Sequence, residues 1–108
     1  MQLKRVVVTG MGALTPIGNN LEAYWEGLRT GKSGSAPITY FDTEKFKTKF
    51  ACELKGYDPN DFFDRKEARK LDRFAQYALV SSDEAIADSG IDLNVVDKFR
   101  VGVVWGAG

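Results

Sequence analysis

The fold is decided by the opening stretch Val6-Val7-Val8-Thr9-Gly10-Met11-Gly12-Ala13-Leu14-Thr15-Pro16-Ile17-Gly18. Its three valines favour a strand, and a short run that is apolar on every side is typical of a central strand covered on both faces. We therefore predict a first strand over residues 3–9, followed at once by a glycine-rich loop. In α/β proteins, loops at this position frequently carry the functional site.

The glycine loop departs from the known nucleotide-binding patterns. A dinucleotide fingerprint needs G-x-G-x-x-G or G-x-G-x-x-A at the start of a helix. Gly10 and Gly12 fit, but Thr15 stands at the third required position and Pro16 delays the helix. We expect these glycines to allow tight turning and close backbone packing, with nucleotide binding or a part in another site as the alternatives.

A helix and a second strand are predicted after the loop. Asn19 or Asn20 caps a helix over residues 21–30, which Gly31 ends. Its expected apolar face consists of Leu21, Tyr24, Trp25 and Leu28. Residues 45–55 alternate between apolar and polar, a period of two that is typical of a strand with one solvent-exposed face.

Two aspartates mark the next turns. Asp58 with its following proline predicts a short turn through Phe63. Asp64 with Glu67 resembles a capping box that begins a long helix, which Gly90 ends after Ser89. The helical repeat that defines this helix is Leu71, Phe74, Ala75, Ala78, Leu79, Ser82, Ala85 and Ile86.

The chain closes with a second apolar strand. Residues 94–98 add a turn, and residues 100–105 form the strand, which runs into Gly106-Ala107-Gly108. Strand, helix, crossover with a helix and strand in this order predict an α/β fold with the two apolar strands parallel and a right-handed connection. Such strands need neighbours on both edges, so we expect residues 1–108 to be a piece of a larger unit, without an internal boundary.

Composition excludes several classes of function. The 108 residues include fifteen basic and fifteen acidic side chains, so no net charge favours nucleic acid or a membrane surface. No apolar run is long enough for a signal peptide or a membrane span, and cytoplasm is the simplest localisation. The absence of histidine removes Ser-His, Cys-His and histidine-metal chemistry from this chain. Cys52 falls on the apolar side of its strand, which predicts a small buried hydrophobic residue and not a nucleophile.

A basic run supplies the candidate binding surface. If residues 64–89 form one helix, Lys66, Arg69, Lys70 and Arg73 lie on one face at positions i, i+3, i+4 and i+7. The helix macrodipole disfavours cations near a helix N-terminus, so stability alone does not explain them. An ordinary solvated face is one interpretation, and a dock for an acidic partner is the other. Because the run contains no aromatic residue before Phe74, stacking on nucleic acid is disfavoured.

An ordered set of motifs resembles the β-ketoacyl-acyl-carrier-protein synthases, the elongating condensing enzymes of the thiolase fold. The set comprises the opening strand and loop, Phe41-Asp42, Lys49-Phe50-Ala51, Asp64-Arg65-Lys66-Glu67 with Arg69-Lys70, Asp88-Ser89-Gly90, and the closing strand with its glycines. The resemblance covers essentially the whole chain and is greatest to the type called synthase II. It implies α-β-α-β-α layers in the full enzyme, of which this chain is part of the N-terminal half.

The resemblance also implies a function. The family catalyses decarboxylative Claisen condensation with a cysteine and two histidines, here expected beyond residue 108, so we expect no catalytic residue in this chain. It implies a cytoplasmic homodimer, an acidic acyl carrier protein as partner, and no metal or organic cofactor. Lys66, Arg69 and Lys70 match the family's carrier-binding residues, and Arg73 is added from the helical face. A non-catalytic carrier-binding module and a condensing domain of a polyketide-type synthase are the alternatives.

Overall fold

The computed structural model describes residues 1–107, so Gly108, the last of the closing glycines, lies outside the described residues. The helices and strands are α1 (Leu21–Thr30), β1 (Ala36–Pro37), β2 (Phe50–Ala51), α2 (Arg65–Ala68) and α3 (Arg73–Ser89). Single 3-10 turns lie at Pro59–Asp61 and Lys98–Arg100. The two strands pair antiparallel, with Ala36 opposite Ala51.

Helix α1 confirms its capping signals. The Asn20 side chain accepts a hydrogen bond from the Ala23 amide at 2.8 Å, which satisfies one of the free N–H groups of the first turn. Gly31 ends the helix in the left-handed region at φ 70°, where a side chain would be strained. The predicted apolar face is only partly covered, because Trp25 remains 64% exposed.

The next two caps also form as predicted. Asp58 accepts a hydrogen bond from the Asn60 amide and begins the Pro59–Asp61 turn. The Asp64 carboxylate accepts from the amides of Lys66 and Glu67 at 2.9 and 2.8 Å, which is the aspartate half of the capping box. At the far end of α3, Gly90 adopts φ 67° as the predicted C-terminal glycine.

The single long helix predicted from Asp64 to Ser89 is wrong. Helix α2 ends at Ala68, and α3 begins only after Asp72, whose backbone is extended at ψ 156°. Asp72 therefore stands as the N-cap of a second helix, although its side chain makes no capping hydrogen bond. The residues between the two helices form a turn, which changes where the basic side chains point.

The strand predictions are wrong or much too long. Neither residues 3–9 nor residues 100–105 join a ladder, and within residues 1–107 the sheet consists of β1 and β2. The strand predicted over residues 45–55 shrinks to Phe50–Ala51, because its neighbour β1 is two residues long and offers few backbone partners. Strands depend on partner strands for their backbone hydrogen bonds, and the described residues offer few.

Little of the apolar surface is enclosed within the described residues. The buried side chains are Ala13, Val80 and Gln76, while the opening valines Val6 and Val8 are 88% and 79% exposed. The radius of gyration is 17.5 Å, against about 13 Å for a compact domain of this length. Layering into α-β-α-β-α is therefore not formed by these residues alone. Across the described part of the chain, no helix combines the length and the apolar character needed to cross a membrane.

Candidate functional site

The glycine loop packs directly on the backbone of α3. A Cβ added at Gly10 would overlap the carbonyl of Ala85, and one added at Gly12 would overlap the carbonyl of Ser81 and lie 2.9 Å from the Ala85 amide. Only glycine permits the two backbones to approach this closely. The predicted role of the glycines in close backbone packing is confirmed.

Two carboxylates on α3 hold the loop in place. Glu84 accepts hydrogen bonds from the Ala13 amide at 2.8 Å and from the Leu21 amide at 2.9 Å, so one side chain ties the loop and the start of α1 to α3. One helical turn later, Asp88 accepts from the Met11 amide at 3.0 Å. Neither contact was predicted: Asp88 belongs to the Asp88-Ser89-Gly90 motif without an assigned role, and nothing local marks Glu84 as more than a solvated helix position.

These carboxylates also settle the question of nucleotide binding. A phosphate-binding loop needs free backbone amides and positive potential. Here the amides of Met11 and Ala13 already donate to carboxylates, whose negative charges would repel a phosphate. The loop therefore packs against α3 and is not arranged to bind a phosphate.

The break between α2 and α3 changes the predicted basic face. Lys66 lies in α2, Arg69 is its C-cap residue, Lys70 lies in the turn and Arg73 begins α3. The four residues therefore do not share one face of a continuous helix, and that prediction is wrong. The structure keeps Lys66, Arg69 and Lys70 close together on one short segment, and we call these three residues the basic cluster.

The basic cluster is available to solvent. All three side chains are exposed, and Lys66 and Lys70 line an open groove of about 500 Å³ together with Asp64, Glu67 and Leu71. Within residues 1–107 the ion pair that forms is Arg29 with Glu26, so none of the three cations is held in an ion pair there. The nearby Asp64 carboxylate is engaged by the α2 amides. Three exposed cations that make no ion pair within the described residues can attract an acidic partner.

Arg73 is placed elsewhere, in a group of tyrosines. Its guanidinium lies 5.5 Å from the centre of the Tyr40 ring, a cation–π arrangement. The neighbouring Tyr77 side chain raises the pKa of Arg73, which therefore stays charged. Tyr77 in turn meets the Tyr57 ring edge-on at 5.1 Å. Arg73 thus connects the segment around Tyr40 to α3, and its part in a binding surface with the other three cations stays a prediction.

Gln76 is the buried polar residue that organises this region, and it was not predicted. Its side chain is 5% exposed. Its amide nitrogen donates to the carbonyls of Ala68 and Leu71 at 3.0 and 3.2 Å, and its amide oxygen accepts from the Tyr57 hydroxyl at 2.8 Å. Loss of hydration raises the pKa of Tyr57, so the hydroxyl stays protonated and able to donate. A signal was present in the sequence: Asp72 is a second N-cap candidate, and a helix beginning there brings Gln76 onto its inner face.

Helix α3 turns a different face inward than the apolar repeat predicts. Gln76 hydrogen-bonds to the α2 turn and Glu84 to the glycine loop, and Val80, on the same face, is buried, whereas Phe74 is 60% exposed. The apolar side of α3 lines an open cavity of about 590 Å³, which Trp105 also borders. Polar hydrogen bonding to backbone groups, and not apolar burial alone, decides the orientation of this helix.

Cys52 is exposed, so the prediction that it is buried is wrong. It borders an open cleft of about 450 Å³, together with Tyr40, Glu53 and Tyr77. The Glu53 carboxylate is already engaged by the amide and hydroxyl of Thr39 at 3.1 and 2.8 Å and is not free to act as a base. That Cys52 is not the nucleophile stays a prediction.

Comparisons with known proteins match this arrangement to one family. Residues 3–108 match the family model described as beta-ketoacyl synthase, N-terminal domain. Curated relatives named 3-oxoacyl-(acyl-carrier-protein) synthase 2 are 45% identical over 108 residues in Synechocystis sp. and 48% identical over 107 residues in Staphylococcus aureus strain COL. These alignments cover 100% and 99% of this chain and 26% of each relative, so the chain spans about a quarter of their length.

A solved structure agrees with the sequence relatives. The structure titled "The ishigamide ketosynthase/chain length factor" superposes with a TM-score of 0.73 at 38% identity, over 82% of this chain and 22% of that one. The family model covers nearly every residue, and the superposition shows a ketosynthase-like fold. The chain therefore belongs to the family of beta-ketoacyl synthase N-terminal domains.

Proposed function

We propose that the protein carrying this chain is a 3-oxoacyl-acyl-carrier-protein synthase of fatty acid elongation. The observation that carries the proposal is 44–48% identity over essentially the whole chain to proteins with that name. In this reaction a cysteine thiolate accepts the acyl group from its carrier. Malonyl-carrier then loses carbon dioxide, and the resulting carbanion attacks the acyl-enzyme thioester to give the 3-oxoacyl product.

The catalytic groups are assigned to the rest of the protein. Residues 1–108 contain no histidine, and the single Cys52 borders a cleft whose carboxylate is engaged elsewhere. We therefore propose that the catalytic cysteine and both histidines lie beyond residue 108, in the part of the protein that corresponds to the rest of its relatives' length. We also propose the remaining family features: thiolase-like layering completed by that part, a cytoplasmic homodimer, and no metal or organic cofactor.

The part of the reaction that this chain serves is docking of the acyl carrier protein. Lys66, Arg69 and Lys70 supply three exposed cations on one short segment, and the carrier is acidic. Exposed charge pairs contribute about 0.2–1 kcal/mol each. Three of them support fast, salt-sensitive association, which suits a carrier that must leave after each transfer. Arg73 lies over Tyr40, outside the basic cluster, and is proposed as a further contact of the carrier.

The test is a kinetic comparison in the protein that carries this chain. The double variant Lys66→Glu, Arg69→Glu is expected to raise KM for acyl carrier protein about 3- to 30-fold, because two attractive pairs become repulsive. Lys47→Glu is the matched control: it reverses the charge of an exposed lysine outside the basic cluster. The turnover of acyl groups carried on free pantetheine should be unchanged in all variants.

Two outcomes contradict different parts of the proposal. If no 3-oxoacyl product forms from malonyl- and acyl-carrier, the synthase assignment fails; carrier binding without product would then favour a non-catalytic binding module. If product forms but the double variant has the same KM as Lys47→Glu, the docking role of the basic cluster fails.

A condensing domain of a polyketide-type synthase is the second candidate. It is favoured by the likeness to the ketosynthase/chain length factor structure, at 38% identity. The synthase 2 relatives are more similar, at 44–48% identity. Turnover of saturated acyl-carrier substrates distinguishes the two candidates. Fatty acid elongation requires that the enzyme use such substrates, whereas a strict preference for 3-oxoacyl starters would favour the polyketide-type domain.

A further inference from the structure

We propose that Gln76 is a positioning residue for carrier docking, because its buried amide clamps the turn that presents Arg69 and Lys70. The inference rests on the proposed function and adds a residue that carries no charge and lies beneath the docking surface. Gln76 is 5% exposed, so it cannot itself contact a protein partner.

The geometry of the clamp follows from three hydrogen bonds. The amide nitrogen of Gln76 donates to the carbonyl of Ala68 at 3.0 Å and to that of Leu71 at 3.2 Å. These two carbonyls immediately flank Arg69 and Lys70 in the chain. One amide group therefore closes the backbone on both sides of the two cations.

The orientation of the amide is determined by its partners. Backbone carbonyls only accept hydrogen bonds, so the group that faces both of them must be the NH₂ group. The amide oxygen then faces the Tyr57 hydroxyl, which donates to it at 2.8 Å. Every hydrogen-bonding atom of this side chain has a partner, as a buried amide requires.

The clamp is needed because α2 is too short to hold itself. A helix of four residues, Arg65–Ala68, cannot be stable alone, since helix nucleation is costly. Its first turn is capped by the Asp64 carboxylate, and its last carbonyl is held by Gln76. The backbone that carries the basic cluster is thus fixed at both ends before the carrier arrives, which reduces the entropy lost on docking.

The experiment replaces Gln76 in the protein that carries this chain. Gln76→Met keeps a long side chain but cannot hydrogen-bond, and we expect it to raise KM for acyl carrier protein about 3- to 10-fold because the cations lose their fixed arrangement. The values of kcat, and the turnover of acyl-pantetheine, should stay within about twofold of wild type, since the clamp acts only on docking. Tyr57→Phe removes the anchor of the amide oxygen and should raise the same KM by a smaller factor.

A double-mutant cycle separates positioning from a merely structural role. In an Arg69→Glu, Lys70→Glu background the clamp has no productive cations to position, so Gln76→Met should add little to KM. A full additive effect there, or an equal loss with acyl-pantetheine, overturns the inference. If Gln76→Met does not fold, the same cycle is measured with Tyr57→Phe in place of Gln76→Met. An unchanged KM for acyl carrier protein in Tyr57→Phe also overturns the inference. If the charge reversals themselves leave KM unchanged, the docking surface fails and the clamp with it.

Discussion

Replacing Glu84 by methionine removes the acceptor that holds the glycine loop and the start of α1 on α3. Methionine keeps a side chain of similar length and a good helix propensity, so α3 itself should persist. The amides of Ala13 and Leu21, which Glu84 binds at 2.8 and 2.9 Å, lose their partner together. We expect both segments to open locally while the rest of α3 keeps its protection.

The magnitude follows from the two hydrogen bonds. A hydrogen bond to a charged group contributes about 1.5–3 kcal/mol. Since Glu84 is only half-buried, water recovers part of that loss, and we expect the free energy of local opening to fall by about 2–4 kcal/mol in total. That range corresponds to roughly 30- to 1000-fold faster exchange of the two amides. Glu84→Gln keeps one oxygen acceptor and should give a smaller effect.

Amide hydrogen exchange is the assay, because it measures the opening of single amides and needs no cooperative melt. Asp83→Asn is the control: Asp83 is the exposed neighbour of Glu84, and its side chain makes no hydrogen bond within residues 1–107. Exchange at Ala13 and Leu21 in Glu84→Met that stays within about twofold of this control would refute the role of the carboxylate.

Three further changes test other parts of the fold. Gly12→Ala should destabilise docking of the loop by about 1–3 kcal/mol, because the added Cβ meets the α3 backbone. Gly102→Ala is the control and should have little effect, because a Cβ added there meets nothing within 4 Å. Both variants are compared by denaturation of the protein that carries this chain. Loss of hydration would raise the pKa of Glu53, but hydrogen bonds from Thr39 and Tyr40 outweigh it and lower that pKa from its ordinary 4.5. The stability that Glu53 contributes is therefore present above pH 4.5 and is lost as pH falls through the lowered pKa. Acid should release the Thr39 amide in the wild type and lower its protection from hydrogen exchange. Glu53→Gln should abolish this pH dependence of Thr39 amide protection. The isolated 108-residue chain should unfold in a broad transition or aggregate, since Val80 and Ala13 are its buried apolar residues, and a sharp two-state calorimetric transition would contradict this.

The grouping of three cations on one short segment was predictable from the sequence, but the shape of that segment was not. Lys66, Arg69 and Lys70 are adjacent enough in the chain that any local structure keeps them together. Arg73 is separated from them by the turn before α3. Its guanidinium lies over the ring of Tyr40, a residue thirty-three positions earlier in the chain. A helical-face argument assumes an unbroken helix, and one extended residue at Asp72 invalidates it.

Features that depend on a few neighbouring residues could be predicted from the order of the amino acids. Asn20 and Gly31 bound α1, Asp64 caps α2, and Gly90 ends α3, because a cap needs only one side chain or one permissive backbone within a turn. The opening motifs likewise identify the family without any contact being known.

Contacts between residues far apart in the chain became known from the three-dimensional fold. The partners of Glu84 lie 63 and 71 residues away, and local patterns cannot select one carboxylate among several for that position. The apolar segments at residues 3–9 and 100–105 remain unpaired for the same reason, since a strand exists only when another strand accepts its hydrogen bonds. Local chemistry thus sets where helices begin and end, and long-range hydrogen bonding sets how the loop, the helices and the basic cluster are held together.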